Sequence, residues 1–213
     1  ALPPRPTPAP VRLARDTVLA LEDAVQLPRV FYAWPTVRLL AEDDAALDLL
    51  AHVLAGDRGA RLSRQLVHER QVAQEVAAVQ ISMRLAGQFL VDVLPAPGQS
   101  PSAVARLVDA ELRRVAEQGI TERELARARN SYVAGFLDRL ASVERKADLL
   151  NAYNYHAGTP DFVRQDAARY DAVTAADVQR VARTYLRQPK VVLTVVPEGR
   201  RDLALRPAGA GVR

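Results

Sequence analysis

Only three side chains in the 213-residue sequence carry an imidazole: His52, His68 and His156. Zinc chemistry on a helix needs two ligands one turn apart, as in HExxH or its inverse HxxEH. Read forwards, His52 is followed by Val53-Leu54-Ala55, His68 by Glu69-Arg70 and His156 by Ala157-Gly158, with no second histidine one turn on. The expectation is three packed or partly exposed histidines and no metal site in this chain. Cysteine is absent, which excludes thiolate metal sites, disulfides and a cysteine nucleophile. Neither a GxSxG elbow nor a GxGxxG or GxxxxGK[ST] phosphate cradle occurs. The carboxylate pairs Glu22-Asp23 and Asp43-Asp44 fall at element boundaries, where helix capping and solvation account for them. Gly56-Asp57-Arg58-Gly59 could hold an anion before a helix, but a turn using glycine's positive φ is the preferred reading.

Charge and composition narrow the field further. The net charge of +4 invites a nucleic-acid partner, yet 29 basic residues are interleaved with 25 acidic ones. Aromatic residues make up only 5% of the chain, too few for the stacking platforms that single strands need. Arg58, Arg61 and Arg64 form the densest basic stripe, expected to be a solvated helix face or a few ion pairs. Lysine occurs only at 146 and 190, so the basic character is almost wholly arginine. No nucleic acid is expected as a partner. No apolar run approaches the roughly 20 residues of a membrane span. A cysteine-free chain is compatible with cytoplasm and bacterial periplasm alike.

The elements that position these groups follow from periodicity. Thr17–Ala20 and Val30–Trp34 are β-branched and aromatic runs that predict strands. From Asp43 the period turns helical through Ala46, Leu47, Leu50, Val53 and Leu54, ending at Gly56. Arg61–Arg70 predicts a second, shorter helix. Val79, Ile81, Met83 and Leu85 alternate with polar residues and predict a strand buried on that face, paired as a hairpin with the Phe89, Val91, Val93 strand. Ser100-Pro101 opens a helix that Gly119 closes, and Thr121-Glu122-Arg123-Glu124 is a capping box. It starts a long amphipathic stretch reaching Leu150, with a bend or tight packing expected at Gly135. Thr159-Pro160-Asp161 and Thr174–Asp177 read as caps of two more helices, and Lys190–Val196 as a last strand. Strands followed by runs of helices predict an α+β fold, a mostly antiparallel sheet with helices over one face. Five of the 14 prolines lie in the first ten residues, so 1–12 reads as a proline-rich interdomain linker, 13–198 as one domain and 199–213 as a flexible tail.

At Gly56–Val76, GDRGARLSRQLVHERQVAQEV, the sequence resembles insulinase/pitrilysin-type, processing-peptidase-like zinc metallopeptidases. There the family has a Gly-rich turn, Arg-Leu, a short helix and a strand. Leu27–Pro35 resembles its strand ending in Trp-Pro. Ala172–Val178 resembles its last helix cap, and Val191–Pro197 its terminal strand. The resemblance implies a metallohydrolase-like domain of the duplicated kind, specifically the half without zinc. The HxxEH helix and the zinc would then lie in an upstream or separate partner domain. This half would close the peptide-binding chamber, with no cofactor of its own and inactive alone; the alternative is a non-catalytic assembly subunit. In the family an Arg and a Tyr from this half contact substrate, and Arg164 and Tyr170 are the nearest counterparts. Ala60 stands where Ser is usual and Gln74 where an aromatic is common.

Overall fold

Strict alternation builds the sheet. In Arg29–Thr36 the side chains of Val30, Tyr32 and Trp34 are buried, while Arg29, Phe31 and Ala33 point the other way. In the computed structural model, which describes residues 11–206, this strand is β2 of a five-stranded sheet. The others are β1 (Thr17–Asp23), β3 (Ala73–Ser82), β4 (Gly87–Pro95) and β5 (Val191–Pro197). Their order is β1-β5-β2-β4-β3; β1 and β5 run parallel and every other pair antiparallel. The helices are α1 (Asp44–Ala55), α2 (Pro101–Gln118), α3 (Glu122–Leu140), α4 (Val143–Ala157), α5 (Val163–Ala172) and α6 (Ala175–Tyr185). The core lies between the helices and one face of the sheet, where Tyr32, Trp34, Phe89 and Val91 meet Leu47, Leu50, Leu54, Val108 and Val181. The fold is therefore α+β with a mostly antiparallel sheet, as the sequence predicts.

Caps fix where the helices begin. Ser100 accepts from the Ala103 N–H ahead of α2, and the Thr121 and Thr174 boxes are both closed. At the second box the Thr174 Oγ1 accepts from the Asp177 N–H at 3.2 Å, and the Asp177 carboxylate accepts from the Thr174 N–H at 3.0 Å. Thr174→Ala is expected to lower unfolding free energy by about 1 kcal/mol, read as a shifted urea midpoint with unchanged slope.

The arginine excess is largely helix-end chemistry. The Arg129 guanidinium donates to the carbonyls of Tyr170, Asp171 and Val173 at the end of α5, and Arg183 to those of Ala116 and Glu117 at the end of α2. These carbonyls lie at or just past helix ends, where the N–H four residues on does not continue the helix, so a planar donor fork is well matched to them. Arg61 pairs with Glu124 and Glu111 and donates to the Gly119 carbonyl, tying the turn after α1 to α2 and α3. With Thr121, it holds the Glu124 carboxyl down at about 2. Of the expected solvated face or ion pairs, Arg58 and Arg64 are the exposed members and Arg61 is the half-buried one, ion-paired to Glu111 and Glu124.

Several local expectations are corrected. The face of β3 toward the helices carries Val76 and Gln80, whereas Val79, Met83 and Leu85 are 44%, 57% and 55% exposed. Gln80 tolerates burial because its amide donates to Thr36 and Ser82, a compensation that alternation alone does not reveal. The predicted second helix is a π-helical segment, Ser63–Glu69. The long stretch breaks at Ala141-Ser142, where Ser142 caps α4, and Gly135 is an open helical position with nothing near its Cβ direction. Thr159 accepts from the Asp161 N–H in a turn rather than capping α5. Gly56 and Gly59 do form a turn but without positive φ. At Gly56 the need is space, since a Cβ would lie 2.6 Å from the His52 Nδ1. Of the expected tail, Arg201–Leu203 form a 3-10 turn and the Leu205 N–H donates to Thr194; the first ten residues and 207–213 lie outside the described residues.

Candidate functional site

Side chains four residues apart share one face of a helix. Along α1 this row is Asp44, Asp48 and His52. The boundary reading of Asp43-Asp44 fails at Asp44, which is 1% exposed. Asp44 accepts from the Leu40 N–H at 2.9 Å, from the Ser82 hydroxyl, and from Arg169 of α5 at 3.1 Å. Arg169 also donates to Asp166 at 2.7 Å and to the Ala41 carbonyl at 3.3 Å. Asp166 in turn accepts from the Tyr153 hydroxyl of α4 at 2.7 Å. One guanidinium thus joins two buried carboxylates from α1 and α5 and clamps the turn before α1. In that turn Leu40 is held at φ 61°, a left-handed conformation that costs a non-glycine residue about 1–3 kcal/mol.

Asp48 accepts from the Tyr170 hydroxyl at 2.7 Å. The Tyr170 ring stacks on Tyr132 of α3 with centroids 3.7 Å apart, and Tyr132 meets the His52 ring edge-on at 6.3 Å. Asp48, Tyr132, Phe136, Arg139, Tyr153, His156, Asp166, Arg169 and Tyr170 line a cavity of about 260 Å³ between α1, α3, α4 and α5. Desolvation pushes the Asp48 carboxyl up to about 7, against the lowering effect of the Tyr170 hydroxyl. Burial likewise raises the Tyr132 phenol to about 12 and lowers His52.

A carboxyl that takes up protons more readily folded than unfolded weakens folding as it ionises. The Asp48 contribution is therefore fully present below about pH 4, falls as pH rises through about 7, and is gone above that. Asp48→Asn is expected to flatten this part of the stability profile. At pH 8 it should be the more stable protein by on the order of 1–3 kcal/mol, measured by urea unfolding at pH 5 and pH 8.

Of the two residues nominated by resemblance, Tyr170 lies in this cavity wall and Arg164 is exposed near the start of α5. The arginine that meets Tyr170 is its chain neighbour Arg169, whose guanidinium carbon is 5.8 Å from the Tyr170 ring centroid. Asp48 sits one turn before His52, a spacing visible only when the residues preceding each histidine are read as well. The pair does not fit a zinc ion. The next group against His52 is the Tyr132 ring, and among the described residues no three His, Asp or Glu side chains gather as a metal site.

A second surface is the other face of the sheet. Leu19, Leu193 and Phe31 are neighbours across β1, β5 and β2, with Leu21, Val195, Leu90 and Val79 around them. Leu19 and Leu21 are 48% and 51% exposed, and among the described residues no helix covers this face. Arg29 bridges Asp92 and Glu75 within it, beside an apolar hollow of about 420 Å³ lined by Val25, Leu27, Phe31, Leu94 and Val195. No helix among the described residues is long and apolar enough to cross a membrane.

Comparison with known proteins agrees with this architecture. A curated relative, the zinc protease PqqE of Helicobacter pylori, is 24% identical over 174 residues, which are 80% of this chain and 38% of that protein. The chain thus spans well under half the length of this relative. Among solved structures, a peptidase M16 inactive domain from Pseudomonas fluorescens superposes with a TM-score of 0.77 at 19% identity, over 97% of this chain and 48% of that one. An inactive peptidase domain from Bordetella parapertussis gives 0.72 at 22% identity, over 90% of this chain and 99% of that one. The model of the peptidase M16 inactive domain matches residues 1–132, more than half of the sequence. The chain belongs to the peptidase M16 family, as its inactive domain.

Proposed function

We propose that this domain completes the peptide-binding chamber of a zinc-bearing M16 domain, on the same or a separate polypeptide, and has no hydrolytic activity alone. The uncovered apolar sheet face carries the proposal. A surface with Phe31, Leu193, Leu19 and Leu21 adjacent to one another is larger in apolar content than isolated exposed residues explain, and it suits a protein partner. In the partner, zinc would polarise the peptide carbonyl and supply a nucleophilic water. This chain's share is to exclude solvent and hold the peptide. Arg164 is available at the surface to donate to a substrate carbonyl or carboxylate. Tyr170, whose hydroxyl is donated to Asp48, acts by holding α5 against α1.

The test is association. Analytical ultracentrifugation of this chain with a zinc-bearing M16 partner domain should give a one-to-one complex, and two species that stay separate at micromolar concentration would end the proposal. In the assembled peptidase, Arg164→Ala is expected to raise KM about tenfold with little change in kcat, the pattern of a lost charge-assisted hydrogen bond to bound peptide.

A further inference from the structure

We infer that the hollow where the incoming chain, the end of β2, the β3–β4 turn and the end of α6 meet binds a carboxylate on a short apolar stem. The stem is either a free aliphatic acid or the C-terminal residue of a peptide. The hollow measures about 460 Å³, within the size range of small-molecule sites. The charged groups in its wall are Arg12 and Arg38, and among the described residues no carboxylate lines it. Val11, Pro35, Val37 and Leu85 form the apolar part of the wall. Leu85, in the turn between β3 and β4, is 55% exposed in the free domain, so a stem laid against it removes apolar surface from water.

The sign of the ligand follows from which hydrogen-bonding groups are already used. Acceptors around the hollow are largely spent within the chain. At the end of α6 the Thr184 carbonyl accepts from the Gln188 amide at 2.6 Å, and the Tyr185 carbonyl from the Gln188 N–H at 3.2 Å. The Arg38 carbonyl accepts from the Ala41 N–H, the Ala41 carbonyl from the Asp44 N–H and Arg169, and the Ala86 carbonyl from the Met83 N–H. The Tyr185 hydroxyl donates to Asp43, which also pairs with Arg180, and the Thr36 hydroxyl is bonded to the Gln80 amide. Glu42 is exposed and stands outside the wall. Donors, in contrast, are left over. Arg12 makes no hydrogen bond or ion pair among the described residues, and Arg38 gives one long contact, 3.4 Å, to the Leu39 carbonyl. Two uncommitted guanidinium forks beside an apolar wall match a planar carboxylate with an apolar stem. Inorganic phosphate would meet the charge and leave the apolar wall wet. The site lies wholly within this chain and stands whether or not the pairing proposed above holds.

Isothermal titration of the complete chain tests it, with n-hexanoate, hexanamide, inorganic phosphate, and acetyl-Ala-Leu carrying either a free or an amidated C terminus. At least one of the two carboxylates should bind, at least about tenfold more tightly than its own amide and than phosphate. Hexanoate binding without the free-acid peptide identifies a free aliphatic acid as the ligand; binding of the free-acid peptide identifies a peptide C terminus. Arg12→Gln combined with Arg38→Gln should bring the carboxylate down to the affinity of its amide. Both side chains are exposed, so the melting temperature of this double variant should stay that of the unmodified protein. Failure of both carboxylates to bind, equal binding of acid and amide, phosphate binding as tight as the carboxylate, or unchanged affinity in the double variant overturns the inference.

Discussion

Arg169→Ala is expected to lower the unfolding free energy by about 3–5 kcal/mol, because it strands two buried carboxylates at once. Among the described residues Asp44 and Asp166 both lose the one cation they pair with, and the Ala41 carbonyl keeps only the Asp44 N–H as donor. Removing one partner of a buried ion pair is far worse than the pair's net value, since the remaining charge stays out of water. The strained turn at Leu40 also loses one of its outside ties, leaving the Leu39 N–H to the Met83 carbonyl. Against a typical total of about 5–15 kcal/mol, this loss is severe. Arg169→Lys should fall between, since an ammonium cannot spread donors over Asp44, Asp166 and the carbonyl in one plane. Urea unfolding of the three proteins measures the effect. A loss below about 1 kcal/mol for the alanine variant would show that the cluster is solvated and contributes little.

Leu193→Asp should leave the isolated domain folded and weaken its pairing with a zinc-bearing partner by about 100-fold or more, equivalent to roughly 3 kcal/mol. Leu193 lies in register between Leu19 and Phe31 on the open sheet face, so a carboxylate there is hydrated in the free domain. In a complex it would be buried without a counter-charge. The melting temperature of the domain alone separates a folding defect from an interface defect. Unchanged affinity would place the partner elsewhere on the molecule.

Much of the fold is legible in the sequence because local signals and burial agree. The Ser100, Thr121 and Thr174 caps, the alternation of β2 and the ends of α1 and α2 are all places where propensity and packing point the same way. The face of β3 departs from the expectation because its apolar residues Val79, Met83 and Leu85 are exposed. Alternation gives the period of a strand but not which side is covered, and here an apolar outer face coexists with a hydrogen-bonded Gln80 inside. The cavity was largely invisible for a related reason. Asp44 and Asp48 come from α1, Tyr153 from α4 and Arg169 from α5, and Asp44 and Arg169 are 125 residues apart in sequence. What could have flagged the cavity is the four-residue spacing of Asp44, Asp48 and His52 on a helix whose remaining faces are apolar. No such spacing links Arg164 to Tyr170, and their nomination rested on resemblance alone.

The central claim is that this chain is the half of an M16 peptidase that works only in company. Metal analysis and hydrolysis of a fluorogenic peptide library, on the purified chain alone and after assembly with a zinc-bearing M16 domain, test it most directly. The account predicts substoichiometric zinc and no hydrolysis for the chain alone, and about one zinc per complex with hydrolysis that rises with added chain to a one-to-one ratio. One zinc per isolated chain with turnover, or a partner whose activity is indifferent to this chain, would contradict it.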